Sequence, residues 1–206
     1  MGIISLFRPK VEKLKSKRDI EGLIKILSSQ KNPLVRRNAA AALGELKSAR
    51  AKDSLIHALG DEHWEVRREA VQALGNLVTV EPLLHVLKDE NSQVRHAAVI
   101  ALGKSADIKA VDPLIQVLRG LHHNVRRSAA DALGEIGDTS AIPALSQALK
   151  DEDAVLREHA ARALGQIEDE RIKDILTEAL KDENPEVAMA AKNALKKIEE
   201  RVCVQD

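Results

Sequence analysis

Aromatic residues and cysteine are scarce in this 206-residue chain. Aromatic side chains make up 1% of the sequence, and Phe7 and Trp64 are the two present. The stacking platforms that hold the bases of single-stranded nucleic acids are therefore nearly absent. A single cysteine, Cys203, cannot form a disulfide within the chain, so nothing indicates an oxidising compartment.

Long apolar runs and a leader sequence are also missing. The sequence contains no stretch of about 18 apolar residues that could cross a bilayer, and its opening MGIISLF is too short and wrongly flanked for a signal peptide. Residues 1–18, apolar and then basic, could touch an anionic membrane surface, but we favour the interpretation that they cap the first helices. We therefore expect a cytoplasmic protein that does not bind membranes.

The composition favours helices. Hydrophobic residues make up 44% of the chain and charged residues 31%, which is too apolar for a disordered protein. The frequent residues Ala, Leu, Glu, Lys and Arg are those that helices favour. The sequence therefore predicts an all-α protein.

A segment made of valine or leucine, arginine, several small residues and Ala-Leu-Gly occurs five times. The copies are VRRNAAAALG (35–44), VRREAVQALG (66–75), VRHAAVIALG (94–103), VRRSAADALG (125–134) and LREHAARALG (156–165). Their glycines are 31, 28, 31 and 31 residues apart, and a sixth, degenerate copy covers residues 187–196. Because one helical pair of this length cannot bury its apolar face alone, the copies must stack into an elongated solenoid.

Each repeat is predicted to hold two helices. In the recurring segment, helix B, apolar residues such as Val66, Ala70, Ala73 and Leu74 return at steps of three and four, which defines one face of a helix. Seven residues before each copy after the first, a leucine closes another periodic segment, helix A. These leucines are Leu59, Leu87, Leu118, Leu149 and Leu180. Because the turns between A and B are short, the two helices are antiparallel neighbours.

The predicted domain is one array with a cap at its N-terminal end and a tail at its C-terminal end. The six A/B pairs occupy residues 19–47, 48–78, 79–106, 107–137, 138–168 and 169–199. Residues 1–18 form the N-terminal cap and residues 200–206 the C-terminal tail, since an open stack requires polar ends. The step from Gly75 to Gly103 is three residues shorter than the others, which predicts a tighter turn between the second and third pairs.

These segments resemble the HEAT-like repeats of the phycobilin lyase type, whose hallmark is a VRxxAAxALGxI helix followed by a loop such as GDxxA and a PxLxxAL helix. The resemblance covers residues 19–199. It implies an α-solenoid, a right-handed superhelix with the A helices on its convex side and the B helices lining its concave side. It implies no single activity.

Charge is unevenly distributed although the net charge is zero. Residues 1–50 hold 12 Lys and Arg against 4 Asp and Glu, a net of +8, whereas residues 151–206 hold 9 against 15, a net of −6. Sign drift along a long soluble molecule is one interpretation. The others are a partner of matching polarity or head-to-tail self-association.

The arginine after each Val or Leu could form a basic stripe for nucleic acid, but we favour a structural role. An aspartate stands six residues ahead of it in three copies: Asp61 before Arg67, Asp89 before Arg95 and Asp151 before Arg157. HEAT repeats use similar columns as a ladder between adjacent repeats, and a planar guanidinium with five donors suits carboxylates and carbonyls. We predict such a ladder here.

The next position along helix B is the predicted recognition surface. Helical geometry turns it about 100° from the buried positions, and we expect no acidic column to match it. Together with its neighbours it varies from copy to copy over a constant frame, as a recognition surface does, although a solvent face without a partner varies too. The candidate protein-binding residues are Arg37, Arg68, Glu69, Gln72, His96, Ile100, Arg127, Asp131, His159 and Arg162.

Catalysis is not predicted. Deoxyhypusine hydroxylase, a HEAT-like relative, binds two irons through His-Glu pairs at the two positions after Val-Arg, and no copy here has that pair. HEAT-like DNA glycosylases combine concave arginines with aromatic residues, which are scarce here. His57 and His85 share one A-helix position, and two ligands are too few for a closed zinc site. We expect no catalytic residue, no metal and no cofactor.

Three functions remain open from the sequence. We favour a non-catalytic scaffold or interaction module that binds a protein or peptide on its concave B-helix face. The alternative is an accessory subunit of a phycobilin-lyase-like complex that acts on a protein-bound chromophore. The third is nucleic-acid binding through the basic N-terminal half, with an affinity that falls steeply with salt.

Overall fold

Every regular element in the described part of the chain is a helix. The computed structural model describes the backbone of residues 4–203 and the side chains of residues 10–201. The α-helices are α1 (Ile4–Ser16), α2 (Ile20–Ser29), α3 (Pro33–Leu46), α4 (Lys52–Ala58), α5 (Trp64–Asn76), α6 (Glu81–Val86), α7 (Ser92–Ser105), α8 (Val111–Leu118), α9 (His123–Ile136), α10 (Ile142–Ala148), α11 (Ala154–Leu164), α12 (Arg171–Ala179) and α13 (Pro185–Cys203). The predicted all-α fold of repeated helical pairs is confirmed.

The helices form two compact units, residues 1–101 and 102–206. In the first unit, α3 packs against α1, α2 and α5, and α4 packs against α5. In the second, α9 packs against α8 and α11, and α13 packs against α11 and α12. Alternate helices from α2 to α12 are the A helices, and those from α3 to α13 are the B helices. Five of the B helices therefore contact both their own A helix and a neighbouring B helix: α3, α5, α9, α11 and α13.

Side-chain caps fix where B helices begin. Asn32 Oδ1 accepts a hydrogen bond from the Leu34 N–H at 2.9 Å, and Pro33 occupies the first turn of α3. Asp153 Oδ1 accepts from the Val155 N–H at 3.1 Å at the start of α11. Such caps satisfy N–H groups that the helix itself leaves without an acceptor, and proline at this point loses no hydrogen bond.

Four of the five turns from a B helix to the next A helix contain a left-handed residue. Lys47, Val78, Ala106 and Gly137 have φ values of 48°, 52°, 52° and 75°. Glycine adopts this conformation without a steric penalty, whereas a β-branched residue such as valine is strained there. The fourth repeat therefore has the residue best suited to this turn, and the second has the least suited.

Three A helices begin with a 3-10 turn. These turns, Ala49–Ala51, Ile108–Ala110 and Thr139–Ala141, lead into α4, α8 and α10. By contrast, α5 ends at Asn76 and α6 begins at Glu81 with no such turn between them. The missing turn accounts for the three residues by which the step from Gly75 to Gly103 is shorter, so the predicted tight connection is confirmed.

The glycines of the Ala-Leu-Gly segments lie where neighbouring B helices touch. A Cβ atom added at Gly44 would lie 2.8 Å from the Cβ of Ala73, closer than real Cβ atoms approach other atoms. The remaining pairs are Gly75 with Ala101, Gly103 with Ala132, Gly134 with Ala163 and Gly165 with Ala194. Small residues on both sides let the two backbones approach, which explains why the segment keeps Ala and Gly at these positions.

The first and last described segments, residues 4–16 and 185–203, are helical as well. α1 buries Val11, which is 2% exposed, and packs against α2 and α3. α13 continues to Cys203, so residues 200–203, predicted as a tail, extend the last helix. They do so because residues 195–203 contain no Gly or Pro and include five Lys, Glu and Arg residues, which helices favour. Residues 1–3 and 204–206 of the predicted cap and tail lie outside the described backbone.

Candidate functional site

Buried or half-buried arginines join successive repeats within each unit. Arg67 Nε and Nη2 donate to the two carboxylate oxygens of Asp89 at 2.8 and 2.9 Å, while Nη1 donates to the Asp61 carbonyl at 2.9 Å. The Arg67 and Asp89 side chains are 8% and 10% exposed. Arg36 with Asp61, Arg126 with Asp151, and Arg157 with Asp182 are the other pairs. The predicted ladder is confirmed for these pairs: each arginine binds the aspartate of the following repeat.

Hydrogen bonds keep the ladder aspartates ionised. Burial raises the pKa of Asp61, but donors from Arg36 and a backbone N–H outweigh it, so the net pKa lies below its ordinary value. For Asp182 the hydrogen bond from Arg157 is the largest influence, and it lowers the pKa. The pKa values of Asp89 and Asp151 are lowered too. These arginines are therefore engaged in structural ion pairs, which leaves them poorly suited to bind phosphates.

Arg95 makes the hydrogen bonds to backbone carbonyls that the other ladder arginines make, but it has no hydrogen bond to a carboxylate of residues 10–201. Its Nη1 donates to the carbonyls of Asp89 and Glu90 at 2.6 and 3.0 Å. No carboxylate among the described residues pairs with it. The fourth repeat has Gly120 and Leu121 where the second, third, fifth and sixth repeats have Asp-Glu. In sequence, therefore, the ladder column has no acidic residue after Arg95, and the ladder prediction is incomplete at this position.

All ten predicted recognition residues are exposed or half-buried. Those of the first unit lie on α3, α5 and α7, and we call them the N-terminal face. They are Arg37, Arg68, Glu69, Gln72, His96 and Ile100. Those of the second unit lie on α9 and α11, and we call them the C-terminal face. They are Arg127, Asp131, His159 and Arg162.

Arg68 on the N-terminal face stacks on the ring of Trp64. Its guanidinium carbon lies 5.4 Å from the ring centroid, within the range of a cation–π contact. Nη1 donates to Gln93 Oε1 at a long 3.4 Å, and the enclosed Nε has no acceptor. This stack was not predicted from the sequence, although Trp64 and Arg68 are four residues apart on one helix and are therefore neighbours. The stack orders a guanidinium that keeps unused donors.

Glu69 lies on the same face and makes no ion pair with the described residues. Burial raises the pKa of its carboxyl, while the charges of Arg68 and Arg37 act in the opposite direction. Arg37 in turn donates from Nη2 to Asn38 Oδ1 at 3.2 Å. Neither of these two arginines has a carboxylate partner among the side chains at 10–201.

The C-terminal face differs because its arginines are paired. Arg127 Nε and Nη2 each donate to Asp153 at 2.9 Å. The expectation that this column lacks acidic partners is therefore wrong for Arg127. Asp153 occupies the cap position of α11, where other repeats have His or Asn, so its carboxylate appears in one copy only. This hydrogen bond lowers the pKa of Asp153 to about 2.

His159, Asp131 and Arg162 form a network on the C-terminal face. His159 Nδ1 lies 2.8 Å from Asp131 Oδ2 and 2.9 Å from Arg162 Nη2. A ring nitrogen can donate to the carboxylate or accept from the guanidinium, but it cannot do both. Arg162 also lies 3.2 Å from Asp131 Oδ1 and 3.4 Å from Glu158 Oε1. The charges on this face therefore largely satisfy one another.

Two clefts lie in the first unit. One, of about 250 Å³, is lined by α1 and α3, including Lys15, Arg37 and Asn38. The other, of about 570 Å³, lies on the A-helix side and is lined by residues of the second and third repeats, including Ile56, Pro82 and His85. The first cleft borders the N-terminal face, whereas the second is a separate surface.

The two histidines that share an A-helix position lie on neighbouring A helices. His57 and His85 are exposed on α4 and α6. Among the described side chains, no group of three or more His, Cys, Asp or Glu residues is placed to hold a metal ion. No helix within residues 4–203 is long and apolar enough to span a bilayer.

Known proteins place this chain among helical repeats. One similar structure is the complex of CpcE and CpcF of phycocyanin lyase from Nostoc sp. PCC7120. Its matching chain is 29% identical in sequence to this chain, with a TM-score of 0.65, and the match covers 87% of this chain and 76% of that chain. A designed armadillo repeat protein in complex with the peptide (KR)4 is 20% identical, with a TM-score of 0.63 over 85% and 98%. Human deoxyhypusine hydroxylase in complex with glycerol is 23% identical, with a TM-score of 0.52 over 92% and 77%.

Sequence comparison gives the same assignment. Among curated protein sequences, none matches the chain significantly. The family model for HEAT repeats matches residues 20–81, 80–155 and 142–203. Because these matches together cover most of the sequence, the chain belongs to the HEAT-repeat family.

Proposed function

We propose that this protein is a non-catalytic interaction module that binds a protein or peptide through the exposed sides of its B helices. One observation carries the proposal. All ten candidate residues are accessible, while the Val, Ala and Leu positions that hold the same helices together are buried. Variable accessible residues on a fixed frame give each repeat its own contact chemistry, which is how extended repeat surfaces recognise partners.

Two further observations support this proposal. The designed armadillo protein of similar fold is in complex with a peptide, so a stack of helical repeats can provide a surface on which a peptide lies. In addition, no copy has a His-Glu pair after Val-Arg, the pattern that deoxyhypusine hydroxylase uses for its irons. The chemistry of that relative therefore does not transfer to this chain.

Affinity capture with the full chain, followed by mass spectrometry, would identify a partner, and charge reversals would then map its site. We expect Arg37→Glu with Arg68→Glu to weaken binding at least tenfold if the partner uses the N-terminal face. Arg162→Glu tests the C-terminal face. The control is His57→Glu with His85→Glu, which changes the A-helix side and the cleft at His85. If the control abolishes binding and the B-helix reversals do not, the proposed surface is wrong.

The second candidate is a subunit of a phycobilin-lyase-like complex. It is supported by the 29% identity to the phycocyanin lyase complex over 87% of this chain. Co-expression with a phycocyanin subunit, a bilin source and captured partners tests it. A covalent bilin adduct, seen by absorbance of the denatured acceptor, would support this role. No adduct above the level without this chain would exclude it for that acceptor.

A further inference from the structure

Arginines on the two faces differ in whether they already have an anionic partner. On the C-terminal face, Arg127 is held by Asp153, and Arg162 lies against Asp131 and Glu158. On the N-terminal face, Arg37 and Arg68 have only amide oxygens as acceptors among the described residues. The N-terminal face therefore presents two cations whose charge is not neutralised by an ion pair.

We propose that the N-terminal face binds an acidic segment of a partner protein, with its carboxylates held by Arg37 and Arg68. This inference rests on the proposed function and specifies its partner. Guanidinium groups form short bidentate hydrogen bonds with carboxylates, which are the strongest hydrogen bonds available to them. The net charge of +8 in residues 1–50 also favours the approach of an acidic chain.

Arg68 is prepared for this contact by its stack on Trp64. The 5.4 Å contact with the ring restricts the guanidinium, so less side-chain entropy is lost when a ligand binds. Gln93 at 3.4 Å is a weak acceptor that a carboxylate can replace. Because Arg68 covers one face of the ring, Trp64 makes a poor stacking platform for a nucleic-acid base. An acidic peptide therefore fits this face better than a single-stranded nucleic acid.

The spacing of the two arginines suits an extended peptide. Arg37 and Arg68 occupy equivalent positions on α3 and α5, which pack together at Gly44 and Ala73. Axes of packed helices lie about 8–10 Å apart, and alternate side chains of an extended chain lie about 7 Å apart. Two acidic residues separated by one other lie on the same side of an extended chain and can therefore reach both guanidinium groups.

The negative charge of Glu69 opposes the binding of an acidic segment, so its removal tests the proposal. Its carboxyl is influenced by the charges of both Arg68 and Arg37 and makes no ion pair with either. A bound carboxylate would experience repulsion from it. Glu69→Gln is therefore expected to strengthen the binding of an acidic peptide about two- to fivefold, whereas a neutral peptide would be unaffected.

The test uses the full chain and a fluorescein-labelled dodecapeptide of alternating Glu and Ser, measured by fluorescence anisotropy at low salt. Matched peptides replace Glu by Gln or by Lys. We expect saturable binding of the Glu peptide, weakened at least tenfold by Arg37→Gln with Arg68→Gln. Arg68→Lys keeps the charge but loses the planar fork, so it should weaken binding about threefold or more. Circular dichroism melting confirms that each variant folds.

The control is Lys25→Gln with Lys52→Gln, which removes two charges from exposed A-helix positions of the same unit. Its effect should stay within twofold. The proposal is overturned if the Gln peptide binds as tightly as the Glu peptide, or if the control variant loses as much affinity as the Arg37→Gln with Arg68→Gln variant. It is also overturned if an oligothymidylate binds more tightly than the Glu peptide and depends on Arg37 and Arg68. If the Glu peptide fails but a captured partner still depends on these arginines, the acidic chemistry is wrong and the interaction function stands.

Discussion

Gly44 and Ala73 lie so close together that a Cβ atom on the glycine would sit 2.8 Å from both the Cα and the Cβ of the alanine. The two residues belong to the neighbouring helices α3 and α5. Glycine within a helix normally costs about 0.5–1 kcal/mol relative to alanine. The fold accepts that cost at this position because the helices could not otherwise approach.

Gly44→Ala should therefore destabilise the protein, although alanine is the better helix former. We expect a loss of about 1–3 kcal/mol, since the added methyl group must push α5 away. The measurement is denaturant unfolding followed by circular dichroism. Gly60→Ala is the matched control, because a Cβ at Gly60 would meet nothing closer than 3.6 Å, and it should be neutral or slightly stabilising. Equal effects in the two variants would show that the close contact does not limit position 44.

Arg67→Met should be far more costly than Arg95→Met. Removing Arg67 leaves the Asp89 carboxylate without its charged partner, so that the Asn91 N–H is its remaining donor. It also removes the side-chain donor of the Asp61 carbonyl. Breaking a buried ion pair in this way typically costs about 3–5 kcal/mol. Arg95 binds carbonyls alone, so its removal should cost about 1–2 kcal/mol. Urea unfolding of both variants tests this difference. A similar loss in both would mean that the carboxylate half of the ladder adds no stability.

Much of the fold could be predicted because each repeat is defined by local spacing. The glycine period, the helical pairs and the ladder columns recur in several copies, and recurrence makes a pattern visible. The ion pair of Arg127 with Asp153 joins residues 26 positions apart and occurs in one repeat only. It therefore leaves no recurring sequence pattern from which it could be predicted. The contact of Arg68 with Trp64 could have been predicted, since both residues lie on one helix. Whether an exposed arginine is already paired depends on packing between repeats, which spacing alone does not give.

Acid should destabilise the protein partly through Asp153. The hydrogen bond from Arg127 lowers the pKa of Asp153 in the folded state to about 2, below the value near 3.9 of an unfolded chain. A group with a depressed folded pKa stabilises above its unfolded pKa, and this stability is lost as the pH falls toward 2. Asp153→Asn should therefore lose about 1–2 kcal/mol at pH 7. Wild type and variant should converge between pH 4 and pH 2.

The measurement is urea unfolding at several pH values, with Asp112→Asn, an exposed A-helix position, as the control. A difference between wild type and Asp153→Asn that stays constant down to pH 2 would contradict the assigned pKa. The ladder aspartates, whose pKa values are also lowered, should add to the general loss of stability in the same direction.

Val78→Gly should stabilise the protein. Val78 has a φ of 52° and is 66% exposed, so its side chain adds strain while burying little surface. Relief of left-handed strain is worth about 1–2 kcal/mol, and the added flexibility of the unfolded chain offsets about 0.5–1 kcal/mol of it. We expect a net gain of roughly 0.5–1 kcal/mol and a higher melting temperature.

Val155 provides the comparison for this substitution. It is also exposed but lies within α11, where glycine is unfavourable. Val155→Gly should therefore lower the free energy of unfolding by about 0.5–1 kcal/mol, and with it the melting temperature. If both substitutions lower it, the turn at Val78 holds no strain that glycine can release.

The ladder and the glycine contacts make successive repeats interchangeable at their junctions. Deleting the 31 residues 138–168 would bring Arg126 into the place of Arg157 beside Asp182, and Gly134 into the place of Gly165 beside Ala194. Both new contacts are of the kind already present at the preceding junction, where Arg126 pairs with Asp151 and Gly134 meets Ala163. Loss or duplication of one repeat by unequal recombination would therefore leave a foldable chain. The length of the array can change in evolution without any compensating substitution in its core.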